Sequence, residues 1–257
     1  MRSLNRSAEA ERRIQDRIET VISRKHESRM RIALMAMYRG AADAYRSGSI
    51  TDSAIMAERD RIDRTLRGIW ETAYTSISDR VAGQIADAIG KSFSPERKQM
   101  SEVRRRALEL FIQQWSARKV TQVTSTTMTE IGQIIKRGIE DGLSVDELAG
   151  QIMQTGKIYA AYRAPLIART ETHAAAQYGS LQAVEESGVV EMKEWISVED
   201  SRTRGMDNED YDHVNVDSVP VKEPFIVSGE ELMYPGDPAG SPGNVINCRC
   251  AMGYLIE

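Results

Sequence analysis

The sequence predicts a mainly α protein with a smaller α+β C-terminal domain, in which long N-terminal helical hairpins precede a compact domain of helices and short antiparallel strands. Three observations predict it. No proline interrupts residues 1–94, where apolar side chains recur at helical spacing. Five of the seven prolines lie between Pro220 and Pro242, among Gly, Asp and Asn, a turn-rich composition that buries little core on its own. Short apolar and β-branched runs of strand length stand between those turns, at Trp195–Val198 and Phe225–Val227, and Val245 and Ile246 lead into a third.

The first helix carries Ile14, Ile18 and Val21, then Met30, Leu34, Met37, Ala41 and Ala44, and Ser47-Gly48-Ser49 stops it. Thr51 or Asp52 caps a second helix, whose stripe is Trp70, Tyr74, Ile77, Val81, Ile85 and Ala88. Ser94-Pro95 is expected to start a third, with Val103, Ala107, Leu110 and Trp115 near its buried side. A separate fourth would carry Val123, Met128, Ile131, Ile135 and Ile139 and end at Asp141-Gly142. Ser144 and Glu147 form a capping box, expected to open a short helix through Gln154 that Gly156 terminates. A longer helix then runs from about Pro165 to Ser187, closed by Gly188. The division expected is a helical arm or bundle over residues 1–142 and a second domain over 143–257. That second domain is helical to about residue 188 and turn-rich beyond it.

Of the 257 residues, 28% are charged and 41% apolar, and no apolar run approaches the roughly 18 residues of a membrane span. No signal-peptide pattern stands at the N-terminus, so the expected compartment is a reducing cytoplasm. Cys248 and Cys250 are too close in sequence to pair without strain and are read as free thiols or metal ligands. The net charge of −4 is unevenly spread, with 7 Lys+Arg against 17 Asp+Glu from Ala161 to Glu257. The basic surplus of the first part is interleaved with acids, as on solvated helix faces. The acidic C-terminal part argues against tight DNA binding there.

Arg169, His173 and Gln177 are spaced to line one helix face, either as a hydrogen-bonded seam or against a ligand. Asp200, Arg202 and Arg204 alternate, so an extended segment would project all three from one side. They suit a loop-organising ion-pair network, or an anion site. His213, Cys248 and Cys250 have zinc-binding donor atoms, with Asp200 or His173 as a fourth. The spacing is short and no second cysteine pair exists, so the reading preferred here is no cofactor, with zinc as the alternative. No phosphate loop appears, and nothing marks Cys248 as a nucleophile served by His213.

Six pieces in order carry a family resemblance. RTETHAAAQYGSLQAVEESGV, KEWISVEDSRTR, a histidine, EPF, YPGDP and INCRC resemble the phage Mu F-like head-morphogenesis, or minor capsid, proteins over roughly Ser144–Gly253. Carried over by position, the family's marked residues fall on Arg169, Glu171, Trp195, Asp200, Arg202, Arg204, His213, Cys248, Arg249 and Cys250. The resemblance implies a minor head component of a tailed bacteriophage or prophage, in the head interior near the portal and in the host cytoplasm during assembly. The implied partners are the portal protein, capsid or scaffold proteins and packaged DNA, with no membrane and no settled enzymatic activity. One departure stands out. The family's histidine follows the second arginine closely, whereas here the acidic segment Gly205–Asp212 intervenes. The alternative function is a metal-dependent hydrolase or nuclease using His213 with Arg202 and Arg204 at phosphate.

Overall fold

The computed structural model describes residues 2–3, 8–48, 52–88, 102–205 and 210–256. The chain runs β1 (Arg2–Ser3), α1 (Ala8–Arg46), α2 (Asp52–Ala88), α3 (Glu102–Glu140), α4 (Val145–Ser187) and β2 (Met192–Ile196). It continues with β3 (Val219–Pro220), β4 (Phe225–Val227), β5 (Glu230–Leu232), α5 (Pro242–Val245) and β6 (Ala251–Ile256). The architecture is the expected one, four long helices and then a few short antiparallel strands. Gly48, Gly142 and Gly188 all take positive φ just beyond helix ends, where an L side chain would be strained. The Ser94-Pro95 helix start, Ser49 and Thr51 lie outside the described residues.

Two helix boundaries differ from expectation. The third and fourth helices expected between residues 95 and 140 are one helix, α3, and its buried line is only in part the one expected, sharing Ile131 with it. Val103, Leu110 and Ile139 are exposed, while Arg104, Leu108, Phe111, Val120, Thr124, Thr127 and Ile131 are buried. Thr124 and Thr127 turn their hydroxyls onto the carbonyls of Val120 and Val123, each at 2.9 Å. A buried threonine that satisfies itself this way behaves as a small apolar group, which a hydropathy stripe overlooks. The second difference is α4, which runs without a break from Val145 to Ser187 through both Gly156 and Pro165. Gly156 is a packing position and not a stop: a Cβ there would lie 2.4 Å from Tyr38 Cγ. Pro165 removes the amide that would bond the carbonyl of Ala161, an exposed position where that loss costs least. The capping box forms as read, with Glu147 Oε2 accepting the Ser144 amide at 2.9 Å and its hydroxyl at 2.6 Å.

Packing divides the described chain into two units, each drawing on both halves of the sequence. One comprises residues 24–72 and 111–168, and so consists of segments of α1, α2, α3 and α4. Its core includes Met30, Leu34, Met37, Ile62, Leu66, Trp70, Val120, Ile131, Leu148 and Ile152. Tyr38 donates to Glu130 Oε2 at 2.7 Å, and Arg163 ties Glu130, Thr127 and the Val123 carbonyl together at 3.2, 2.7 and 3.3 Å. Buried polar groups need such partners, because water is not there to replace them.

The other unit comprises residues 1–23, 73–110 and 169–257. Its sheet has strand order β1-β6-β2-β3, entirely antiparallel, with the hairpin β4-β5 as a separate pair. Along β2, Lys193 and Trp195 face inward between half-buried neighbours, the alternation of a strand with one covered face. The helical part of the core supplies Tyr74, Ile77, Val81 and Ile85 from α2, and Ala174, Leu181 and Val184 from α4. Arg104 is 5% exposed and lies 3.6 Å from both Asp79 and Glu186, joining three helices.

Candidate functional site

From residue 170 through 181 every residue of α4 is buried, so even its polar side chains must find protein partners. They meet the last stretch of the chain in register. Arg169 Nε donates to Asn247 Oδ1 at 3.4 Å, and Thr170 Oγ1 accepts the Asn247 amide at 3.1 Å. His173, 2% exposed, lies close enough to the Cys248 thiol to help lower its pKa. Gln177 Oε1 accepts the Met252 amide at 3.2 Å, and the Ser180 hydroxyl lies 2.6 Å from that of Tyr254. The two residues Arg169 and Gln177, singled out by spacing, thus both reach the segment leading into and along β6. Glu171 points elsewhere and accepts the Tyr74 hydroxyl at 3.0 Å, which with burial holds that phenol's pKa well above its usual value.

Between α5 and β6, Asn247 has a φ of 62°, a left-handed turn that asparagine tolerates. Cys248 and Cys250 are both 4% exposed, and Arg249 between them is only half-buried. Both sulfurs therefore face one interior space while the guanidinium faces the opposite way. In that space lies His213, 1% exposed, its Nδ1 3.8 Å from Cys248 Sγ and 3.5 Å from Cys250 Sγ. Its other nitrogen, Nε2, is 3.0 Å from Asn244 Oδ1. Asn244 is fully buried and its Nδ2 donates to the Val227 carbonyl at 3.3 Å. The amide orientation follows from that acceptor: Oδ1 must face the imidazole, so Nε2 carries the proton and Nδ1 presents a lone pair to the sulfurs. Trp195 stands edge-on to the imidazole at 5.4 Å and to Phe225 at 5.3 Å, closing the space with apolar walls.

The two thiols divide their protons unequally. The Cys250 thiol, donating to Cys248 Sγ, does most to hold the Cys248 thiol well below its ordinary pKa, with burial opposing and the nearby His173 ring adding to it. Cys250, as the donor of that bond and itself buried, is pushed well above.

Outside this chamber, Asp200 is the hub of the charged residues. Its Oδ1 accepts the Arg202 amide at 2.9 Å and the Arg249 guanidinium, and its Oδ2 accepts Arg202 Nη2 at 3.3 Å. These bonds, led by that of Arg249, hold its carboxyl far below the usual carboxylate range. Arg204 does not complete this set; its guanidinium donates to the Ile246 carbonyl. The insertion before His213 closes at its base, because the His213 amide donates to the Arg204 carbonyl at 3.0 Å. Asp212 braces that junction by accepting the amides of Val214 and Asn215. His213 consequently lies beside Arg204 along the backbone even though eight residues separate them in sequence.

Sequence reading passed over Asn244, Lys193 and Asp237. Lys193 is fully buried, donates to the Met233 carbonyl at 2.8 Å and lies 4.8 Å over the Phe225 ring. Asp237, inside YPGDP, accepts the amides of Met233 and Ala239 and fixes that turn. Gly236 beside it has φ 81°, and a Cβ there would come within 2.9 Å of the His173 ring. For Asn244 the one signal was its place between Gly243 and Val245 just ahead of INCRC, which reads as an ordinary turn.

The C-terminal α+β unit is thus held by a buried His/Cys cluster and an Asp–Arg hub. Residues 129–253 match the family described as Phage Mu protein F like protein, so this stretch is a Mu F-like domain. The match begins inside α3, ahead of the resemblance read from motifs, and takes in every candidate residue from Arg169 to Cys250. The match supports a bacteriophage setting and points to head morphogenesis. No curated protein and no solved structure gives a significant match. Among the described residues no helix is long and apolar enough to cross a membrane.

Proposed function

We propose that the chain is a minor head component of a tailed phage or prophage, binding the portal or the procapsid interior during assembly, and that it acts without catalysis. The observation carrying this reading is the Mu F-like match over residues 129–253. The site chemistry supports it, since the polar groups around His213 and Asp200 are engaged with one another. The helical residues 1–142 are proposed to make the partner contacts. Val21, Ile32, Val103, Leu110 and Ile139 all lie in that range and are between 52% and 77% exposed, positions that a partner can cover.

The test is co-expression of the full chain with its cognate portal protein and major capsid protein. Portal rings and procapsids are then purified and the chain measured in each. Stoichiometric recovery with either is the expected result, and absence from both overturns the reading. The hydrolase or nuclease alternative is read from the same preparation: DNA cleavage by the full chain that His213→Ala abolishes would replace this proposal.

A further inference from the structure

The chamber around His213 has a property that hydrogen bonding alone does not require. Tetrahedral zinc with Zn–S about 2.3 Å and Zn–N about 2.0–2.1 Å separates a ligating nitrogen from a ligating sulfur by roughly 3.6 Å, and two sulfurs by roughly 3.8 Å. His213 Nδ1 lies 3.5 and 3.8 Å from the two sulfurs, and the three donor atoms are all within 4.8 Å of one another. His173 is 2% exposed and near enough to influence the Cys248 thiol, but it stands outside that group of three. We propose that His213, Cys248 and Cys250 bind one Zn2+ and that His173, buried near Cys248, closes on it as the fourth protein ligand.

Three features argue for a metal over a cluster of hydrogen bonds. The imidazole tautomer is preset: Asn244 Oδ1 accepts from Nε2 and is held in place by the Nδ2 bond to the Val227 carbonyl. That is the outer-shell arrangement that aims the free nitrogen of a ligating histidine at its metal. The short Cys-x-Cys spacing is no obstacle, because both sulfurs face the same His213 nitrogen. Two sulfurs and two imidazoles in a dry chamber are a donor set that selects zinc over magnesium or calcium. Complete burial leaves no open coordination position, so the ion is structural and not catalytic. It would join α4, the loop carrying His213 and the segment leading into β6, and so supply cohesion that a turn-rich segment with short strands lacks.

The experiment uses the full, untagged chain expressed in zinc-supplemented medium. One equivalent of zinc by elemental analysis is expected, released when a mercurial titrates two thiols. Exchange with Co2+ should give a sulfur-to-cobalt charge-transfer band together with the intense visible bands of a tetrahedral site. A folded wild-type chain holding far less than one equivalent, with no such band after added Co2+, overturns the proposal without reliance on any variant. His173→Ala addresses the fourth ligand. Loss of tetrahedral cobalt bands and chelator removal of zinc at least about 10-fold faster are expected, by the scale on which even outer-shell changes act. A variant indistinguishable from wild type on both measures removes His173 from the site and overturns the four-ligand assignment. These readouts concern the isolated chain, so their failure leaves the procapsid experiment to stand or fall separately.

Discussion

Lys193 keeps its ammonium inside the sheet-bearing unit, and burial there lowers its pKa from 10.5 to about 8. Below pH 8 the folded and unfolded chains both hold the proton, and folding bears the full cost of the buried charge. Between pH 8 and 10.5 the unfolded chain is protonated and the folded one is not, so stability rises with pH across that window. Chemical denaturation from pH 7.5 to 10 should show this rise in the wild type, and Lys193→Met should lack it. Asp200 behaves in the opposite sense. Its depressed pKa adds stability that is present at neutral pH and lost as acid protonates the carboxylate. Its two arginine partners are not equivalent: the Arg202 side chain is 73% exposed and that of Arg249 31%. Surface ion pairs contribute little, so Arg249→Ala should lower the melting temperature more than Arg202→Ala. Equal melting points would show that the hub does not rest on Arg249.

Helices α2 and α4 approach closely at Gly179, where a Cβ would lie 2.5 Å from Ser78 Cα, and the Ser78 hydroxyl bonds the Ala175 carbonyl at 3.0 Å. A backbone cannot step aside as a flexible side chain can, so Gly179→Val should cost about 1–3 kcal/mol or more through overpacking. Gly68, also in α2, has nothing within 4 Å of its would-be Cβ. Gly68→Ala should therefore gain roughly 0.5–1 kcal/mol. Both follow from urea unfolding of the two variants beside wild type. The same contrast explains what could be read at this scale. The starts and stops at Gly48, Gly142, Ser144 and Gly188 were legible because capping and left-handed turns are decided within a few residues. Gly156 reads as a stop by that logic, yet in α4 it admits Tyr38, a residue more than a hundred positions away, and no local rule contains that neighbour.

Across the whole molecule, the two packing units each combine residues from before and after position 142. Residues 2–3 supply a strand beside β6, and residues 24–46 supply core to the helical unit. Removing residues 1–49 would thus disturb folding as well as recruitment, and point changes at exposed positions are the cleaner probe of partner contact. Ile32→Glu and Leu110→Glu should leave stability within about 0.5 kcal/mol, as surface changes do, while reducing recovery with portal rings or procapsids. Unchanged recovery for both would move the contact off these positions.

The sequence by itself determined the helix-then-strand order, because apolar period and proline placement are local and persist along the chain. It also determined the Mu F-like character, which six short motifs carry in order. It marked ten of the site positions as a set without saying which of them touch. Only the tertiary structure decided that Arg204 serves the Ile246 carbonyl and not Asp200, and that Arg249 is the stronger partner of that carboxylate. Only it showed that the insertion before His213 closes on the Arg204 carbonyl, bringing the imidazole to two thiols whose spacing looked too short to matter. Those outcomes depend on distances between residues far apart in sequence. Such distances are set by how the segment before β6 lies along the buried face of α4, and no periodicity or spacing along the chain encodes them.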